Sequence, residues 1–527
     1  MLETTMKRFV KLFSLCLLIK ILLLSTIYCL LPTFVSAQTP EWVYQYGKGG
    51  FPNAIAVNSV GSSFFTGLSY GIVTGKIALD GVERWIYHYD TTSNVLGGED
   101  ISVDRHSNVY VAGGCSPNCF VVIKLDSLGN EKWVYLHSPP VYDASALAVK
   151  VFSTNSIYAA GDSYINISSR DMMAVRLDSL GNEKWIYTYD GPAGGYDIAA
   201  CLAIDKNENI YVGGYSTGIG TSTDFTVIKL DSAGNEKWVY RYDGPAHYRD
   251  EIMAMAIDTS GCVYVTGWSW GIECDFCVIK LDSAGNEKWV YRYNGPANIG
   301  DAAYGLAVDD SGYVYVCGVA GSDSVSLFTG VKIDTNGSEQ WHYLSTGPSN
   351  RGGAANCITL DGIGGIYVGG HFWNSSYLCQ LAVVKLSPAG DTQWVYIHPH
   401  IPPSPFSDNV RDIVADDVGN IYVAGKICVA QWDDDIVVLK FGAQGGVREV
   451  RDEKITRSKH IVTILKGGIE IFAERRSGLS IYDVSGRVVV KQNLQQRQKT
   501  FIKLGSGVYF VKIESKNNVL RKKVIVL

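Results

Sequence analysis

The chain has 527 residues, 12% aromatic content, 56 glycines and a net charge of −6, and beyond its first forty residues it shows no long helical periodicity, which excludes a mainly helical protein. The charge is divided: from residue 447 onward 18 Lys and Arg face 7 Asp and Glu, whereas residues 38–446 carry −20. A body that acidic excludes nucleic acid and anionic membrane as its partners, and the positive residues of the tail alternate with strand residues, as on a solvated β-sheet face.

Met1 to Ala37 places Lys7, Arg8 and Lys11 before the apolar run Leu12 to Leu31 and ends on Val35-Ser-Ala37. This pattern predicts a secretory signal peptide cleaved after Ala37, with an uncleaved membrane anchor as the alternative.

Residues 38–441 repeat one unit, seen most fully at Leu230 to Pro245 (LDSAGNEKWVYRYDGP), with close copies from Leu125, Leu177 and Leu281 and looser ones from Leu79, Ile333 and Leu386. An apolar run such as Thr226 to Leu230 meets an Asp-Ser-Ala-Gly turn and then Glu236-Lys-Trp-Val-Tyr240, which predicts a hairpin. Asp231 accepts backbone N–H bonds in that turn, and Gly234 supplies a positive φ. A second hairpin precedes it, as in Ala256-Ile-Asp258 followed by Val263-Tyr-Val-Thr-Gly267. Four strands in about fifty residues, repeated around a chain, predict an all-β fold, here an eight-bladed β-propeller.

The repeat tryptophans are Trp42, Trp85, Trp133, Trp185, Trp238, Trp289, Trp341 and Trp394, and their recurrence assigns them to packing between blades. The last copy, ending near Phe441, has no Trp strand after it, and Glu41 to Tyr46 is a Trp strand with nothing before it. The N-terminal strand is therefore expected to complete the blade formed by residues 408–441 and close the ring. Residues 442–460 read as a linker, and residues 461–527, with short apolar strands and no Trp, as a small C-terminal β-sandwich.

Gly67-Leu-Ser69-Tyr-Gly71, Gly214-Tyr-Ser216-Thr-Gly218 and Gly267-Trp-Ser269-Trp-Gly271 match the nucleophile-elbow pattern, yet all three fall at one place in the repeat between two strands, so the repeat generates them. Asp197, Asp250, Asp301 and Asp408 each precede the Asp ending the next strand by eight residues, and Asp143 is the nearest counterpart in its copy. Equivalent positions in a ring form a circle, which is a candidate site for Ca²⁺ or a polar ligand, against the simpler reading that each carboxylate bonds its own loop. Trp268, Trp270, Trp373 and Trp432 depart from the repeat and are candidate rim aromatics for a sugar or protein partner. Cys115 and Cys119 flank a tight loop and are a candidate disulfide, whereas Cys274 and Cys277 lack the second pair that a zinc site requires. No catalytic residue, resident metal or cofactor other than Ca²⁺ is nominated.

The pattern Asp301…Leu306-Ala-Val-Asp-Asp-Ser-Gly-Tyr-Val-Tyr-Val-Cys-Gly318 resembles the bacterial SBBP β-propeller repeat family, which implies extracytoplasmic display or binding. The spacing from Gly234 to Trp238 is similar to the tryptophan-docking motif of pyrroloquinoline quinone enzymes, in which this Trp locks neighbouring blades; the chain lacks their adjacent Cys-Cys pair. The tail segments Leu479-Ser-Ile-Tyr-Asp-Val-Ser-Gly-Arg487, Leu504-Gly-Ser-Gly-Val-Tyr-Phe-Val-Lys-Ile513 and Lys522-Lys-Val-Ile-Val526 resemble the type IX secretion C-terminal sorting domain. That resemblance implies contact with the secretion machinery through residues 461–527.

Taken together, these readings predict a secreted or surface-attached monomeric binding or adhesion module for an extracellular glycan or protein. An extracellular enzyme at the channel mouth, quinoprotein-like or a lyase, is the alternative from another class, and a structural envelope component is a third.

Overall fold

The structure, a computed structural model, describes residues 38–526 apart from 90–96, 116–118, 140–143, 167–168, 400–406, 431–432, 444–460 and six turns of the tail (466–467, 474–476, 484–486, 496–497, 504–506 and 516–517). The expected signal peptide, Asp143 and Trp432 lie outside the described residues.

Eight four-stranded antiparallel sheets follow one another as blades, at residues 51–89, 98–137, 144–189, 197–242, 250–293, 302–345, 353–397 and 409–441. The first strands of successive blades touch around a closed circle and form the inner wall, and the fourth strands carry the repeat Trp at the outer edge. Blade 8 supplies only three strands of its own. Its fourth is Trp42–Gln45, antiparallel to Asp433–Phe441 with Trp42 opposite Lys440 and Gln45 opposite Val437, so the ring closes as the complementary ends predict.

Local chemistry sets each hairpin. The Asp231 carboxylate accepts from the N–H groups of Ala233 (3.0 Å) and Asn235 (2.9 Å), and Gly234 sits at φ +85°. That left-handed residue is followed by a bulge at Lys237, the ladder stepping from Leu230 opposite Glu236 to Lys229 opposite Trp238, as the Asp-Ser-Ala-Gly turn predicts. Gly234 has a second duty, because a Cβ there would come within 2.8 Å of the Trp185 ring of the preceding blade.

The core lies between blades. Tyr211, Phe225 and Val227 of blade 4 pack with Ile252, Val263 and Ile279 of blade 5, all fully buried. Each such side chain contributes about 1.5–3 kcal/mol on removal from water. At the seam, Ile55, Phe65 and Val73 of blade 1 meet Tyr422, Ile436 and Val438 of blade 8 in the same manner.

A second compact unit begins at Gln444. It holds a three-stranded sheet (Ile461–Leu465, Gly468–Ala473, Gln498–Lys503) and a four-stranded sheet (Val488–Leu494, Ser477–Asp483, Gly507–Ser515, Asn518–Val526). Ile471, Leu479, Ile481, Leu494 and Ile502 are buried within it.

Candidate functional site

Seven of the eight repeat tryptophans make one interaction. Trp185 Nε1 donates to the Ser232 carbonyl of the next blade at 3.1 Å, and Trp42, Trp85, Trp133, Trp238, Trp289 and Trp341 donate to Leu79, Ser127, Ser179, Ser283, Thr335 and Pro388 at 2.9–3.3 Å. Two residues further on, the Tyr hydroxyl reaches the next blade's Glu, as in Tyr187 to Glu236 at 2.5 Å. Trp394 is the exception. Blade 8 has no corresponding turn, so its indole stacks on Phe441 with centroids 5.3 Å apart, is 1% exposed, and its Nε1 has no partner among the described residues.

The recurrent acidic residues are buried in their own loops. Asp197 accepts from the N–H groups of Gly191 (2.7 Å) and Thr217 (3.0 Å), Asp250 from Gly244 (2.6 Å) and Trp270 (3.2 Å), and Asp301 from Gly295 and Gly321 (2.7 Å). Asp408 accepts from Cys428 N–H at 2.8 Å. Asp197, Asp250 and Asp301 thus tie the loop entering their strand to the end of the neighbouring strand, and none of the four lines the central cavity. Burial raises the pKa of Asp250 and Asp301 above the ordinary carboxylate value.

Two of these aspartates belong to larger groups. Oxygens of Asp171, Asp190 and Asp197 lie within 4.8 Å of one another, as do those of Asp224, Asp243 and Asp250 one blade later. In the second group Arg241 pairs with Asp224 at 2.7 Å; in the first, Thr188 occupies the arginine's repeat position. Burial, followed by the charges of Asp190 and Asp197, raises the Asp171 pKa. These carboxylates are the described residues best arranged to hold a cation.

The remaining nominated side chains are placed as follows. Trp268 meets Tyr304 edge-on at 6.4 Å, Trp270 meets Tyr248 at 5.4 Å and Trp373 meets His371 at 5.5 Å, all three half-buried on blades 5 and 7. Ser216 and Ser269 are fully buried and hydrogen-bonded by Arg241 and Arg292, and Ser69 is buried as well, which suits structural rather than nucleophilic hydroxyls. Cys119 is disulfide-bonded, and the strand register sets Cys115 directly opposite it. Cys274 and Cys277, three apart on one strand, project to opposite faces and cannot share a metal.

The central channel supplies a site that the repeated residues do not mark. Every inner strand carries a β-bulge at the same place. The extra residue of each turns into one cavity of about 650 Å³. In blades 7, 8, 1 and 2 these residues are Asn356, Arg411, Asn53 and Glu99, and in blades 3 to 6 they are Leu147, Ala200, Met253 and Tyr304. One arc of the channel is therefore polar and the opposite arc largely apolar.

Within the polar arc, Asn53 Nδ2 donates to the Gly98 carbonyl and to Glu99 at 3.1 Å each, and Asn356 Nδ2 to the Val410 carbonyl at 2.8 Å. The residues after two bulges are acidic. Asp100 accepts from Val149 N–H (2.9 Å) and Lys150 Nζ (2.8 Å), and Asp412 from Ile55 N–H (2.9 Å) and Ile413 N–H (2.8 Å). Burial pushes the Asp412 carboxyl up to about 6 and raises Glu99, while Asp100 beside Lys150 holds the ammonium above its ordinary value against the opposing effect of burial. Burial also lifts the nearby Cys201 thiol to about 12, which leaves it protonated and unreactive at neutral pH.

Comparison with known proteins places the tail. Residues 460–527 match the secretion system C-terminal sorting domain, so the chain is an exported protein of the type IX pathway, secreted or attached at the cell surface. None of the curated proteins matches the chain. Among solved structures it is similar to PorZ, a surface component of the type IX secretion system of Porphyromonas gingivalis, with 12% identity, a TM-score of 0.42, and coverage of 88% of this chain and 64% of that one. The chain thus spans less than two thirds of that protein's length. A Bacteroides caccae protein of unknown function (13% identity, TM-score 0.32, coverage 49% and 92%) and a eukaryotic initiation factor (8%, 0.38, 65% and 77%) are also similar.

Proposed function

We propose that the exported propeller is a binding module whose ligand, an extracellular glycan, protein segment or small molecule, enters the central channel. The observation that carries this reading is the bulge ring. The blade repeats its backbone eight times at this position with seven different residue types, so packing does not dictate those side chains, and all of them converge on one cavity. A purely structural ring has no need of a guanidinium and a carboxylate facing a 650 Å³ space. The tail supports the setting, since a sorting domain delivers its cargo to where such ligands occur, and residues 461–527 are the proposed contact with the secretion machinery.

The test is a thermal-shift screen of the full chain against glycans, peptides and small organic ions, repeated with Leu147→Trp, which narrows the channel on its apolar side. A shift that is weakened or lost in the narrowed variant supports the reading. Shifts that persist in it, or that respond only to changes at Trp268, Trp270 and Trp373, move binding to the rim and overturn the channel assignment.

A further inference from the structure

We propose that the channel ligand is an apolar monocarboxylate, its carboxylate held by Arg411 and its body lying against Leu147, Met253 and Tyr304. The inference rests on the channel reading above and adds the chemistry of the ligand. Arg411 sits at the bulge of blade 8, lines the cavity and is exposed. Its guanidinium stands 5.8 Å from the Phe51 ring centroid, and among the described residues it donates no hydrogen bond and forms no ion pair. Five N–H donors in a planar fork, fixed over an aromatic ring and facing an open cavity, match a carboxylate in geometry and charge.

The other charged groups of the channel are engaged. Lys150 is bound by Asp100 at 2.8 Å, Asp412 by two backbone N–H groups, and Glu99 by Asn53. Glu99, Asp100 and Asp412 outnumber Lys150 and Arg411 by one, so a dianion such as a phosphate monoester is repelled more strongly than a monocarboxylate, whose single charge is met by Arg411, a cation that acts on Glu99 through space but is tied to no carboxylate among the described residues. Across the eight-fold ring, blade 8 faces blade 4, whose bulge residue is Ala200, the smallest of the eight, flanked by Leu147 of blade 3 and Met253 of blade 5. The far wall is thus recessed and apolar, and a ligand held by its carboxylate at blade 8 extends its apolar body into that recess.

Two sources offer this chemistry, a peptide C-terminus and a free aryl or alkyl carboxylic acid, and the experiment separates them. The full chain is titrated by calorimetry with N-acetyl-Ala-Leu-Phe and with 3-phenylpropionate, each beside its carboxamide, and the series is repeated with Arg411→Gln, Arg411→Lys and Leu147→Trp. The expected result is that at least one acid binds about tenfold or more tighter than its amide, that Arg411→Gln removes this difference and that Arg411→Lys restores part of it. The tighter acid identifies the source. Acid and amide binding equally, and losing affinity in Leu147→Trp but not in Arg411→Gln, overturns the carboxylate assignment while leaving the channel as a binding site. Binding indifferent to Leu147→Trp overturns both readings. No binding by either acid at about 1 mM, the weak end for so small a ligand, overturns the carboxylate assignment.

Discussion

On the outer strands the same residue types recur at the same places because each has a partner in the next blade, whereas on the inner strands the bulge keeps its backbone and changes its side chain from blade to blade. Trp185 donates to Ser232, lies over Gly234 and is followed by Tyr187, which donates to Glu236, and six other junctions repeat the Trp contact. A change at any of these positions removes a bond that another blade needs. At the bulge, Asn53, Ala200, Met253 and Arg411 occupy equivalent places although they share neither size nor charge. Repetition in this molecule marks what holds the ring together, and variation at a repeated place marks what the ring holds.

The most severe way to break the outer arrangement is to remove its eighth member. Deleting residues 38–47 strips blade 8 of its fourth strand and exposes the Asp433–Phe441 edge together with the seam core. The expected outcome is loss of cooperative unfolding of the ring, a cost above about 5 kcal/mol. Chemical denaturation followed by tryptophan fluorescence checks it, and an unchanged cooperative transition would mean that the seam does not close the fold.

Single substitutions grade the junctions. Trp394→Ala opens a cavity at a 1% exposed site and is expected to cost about 3–5 kcal/mol, more than Trp238→Ala, whose half-buried ring gives about 2–3 kcal/mol. The order reverses for Phe. Trp238→Phe loses the bond to Ser283, about 1 kcal/mol, whereas the unpartnered Trp394 Nε1 gives nothing up. Urea midpoints of the four variants decide the matter, and equal costs at the two sites would erase the distinction between the junction of blades 7 and 8, where Trp394 packs on Phe441, and the seven regular junctions.

Among the shifted groups of the inner strands, Asp412 offers a pH-dependent test. Burial pushes the Asp412 carboxyl up to about 6 from its ordinary value of 3.8, so the folded state binds the proton more tightly than the unfolded chain. A raised acid destabilises the fold progressively as pH climbs from about 4 to about 6, with the full penalty above that window and none below it. Stability measured across this range is expected to fall with rising pH more steeply in the wild type than in Asp412→Asn, which cannot ionise. A wild-type slope no steeper than that of the variant would remove this burial cost.

The sequence displayed the outer system almost completely. Its Trp spacing counted the blades, Asp231 and Gly234 located the turns, and the mismatched ends foretold the seam. The recurrent Asp197, Asp250 and Asp301 stood out for the same reason as the tryptophans, and the structure places them in the same kind of role, each fastening a loop through two backbone N–H groups. The channel residues were hidden by the converse logic. A search for repeated chemistry passes over a position occupied by Asn, Glu, Leu, Ala, Met, Tyr, Asn and Arg in turn. A signal was present, because in seven blades this position lies five residues before the Asp or Asn that opens the next turn, as Glu99 precedes Asp104 and Arg411 precedes Asp416. Only the bulge, which adds one residue and points it inward, shows that this register faces the channel.

The smallest expected effect sharpens the comparison most. If inner bulge residues are free of structural duty, Arg411→Gln and Met253→Ala change stability by less than about 0.5 kcal/mol, because Arg411 has no hydrogen-bond partner among the described residues and Met253 is 38% exposed at the channel wall. Asn53→Ala is expected to cost more, about 1 kcal/mol, since its amide bonds both Gly98 and Glu99 of the next blade. Differential scanning calorimetry of the three variants reads the order directly. Arg411→Gln as costly as Asn53→Ala would make the guanidinium a strut between blades, and the channel would then vary for reasons of packing rather than to hold a ligand.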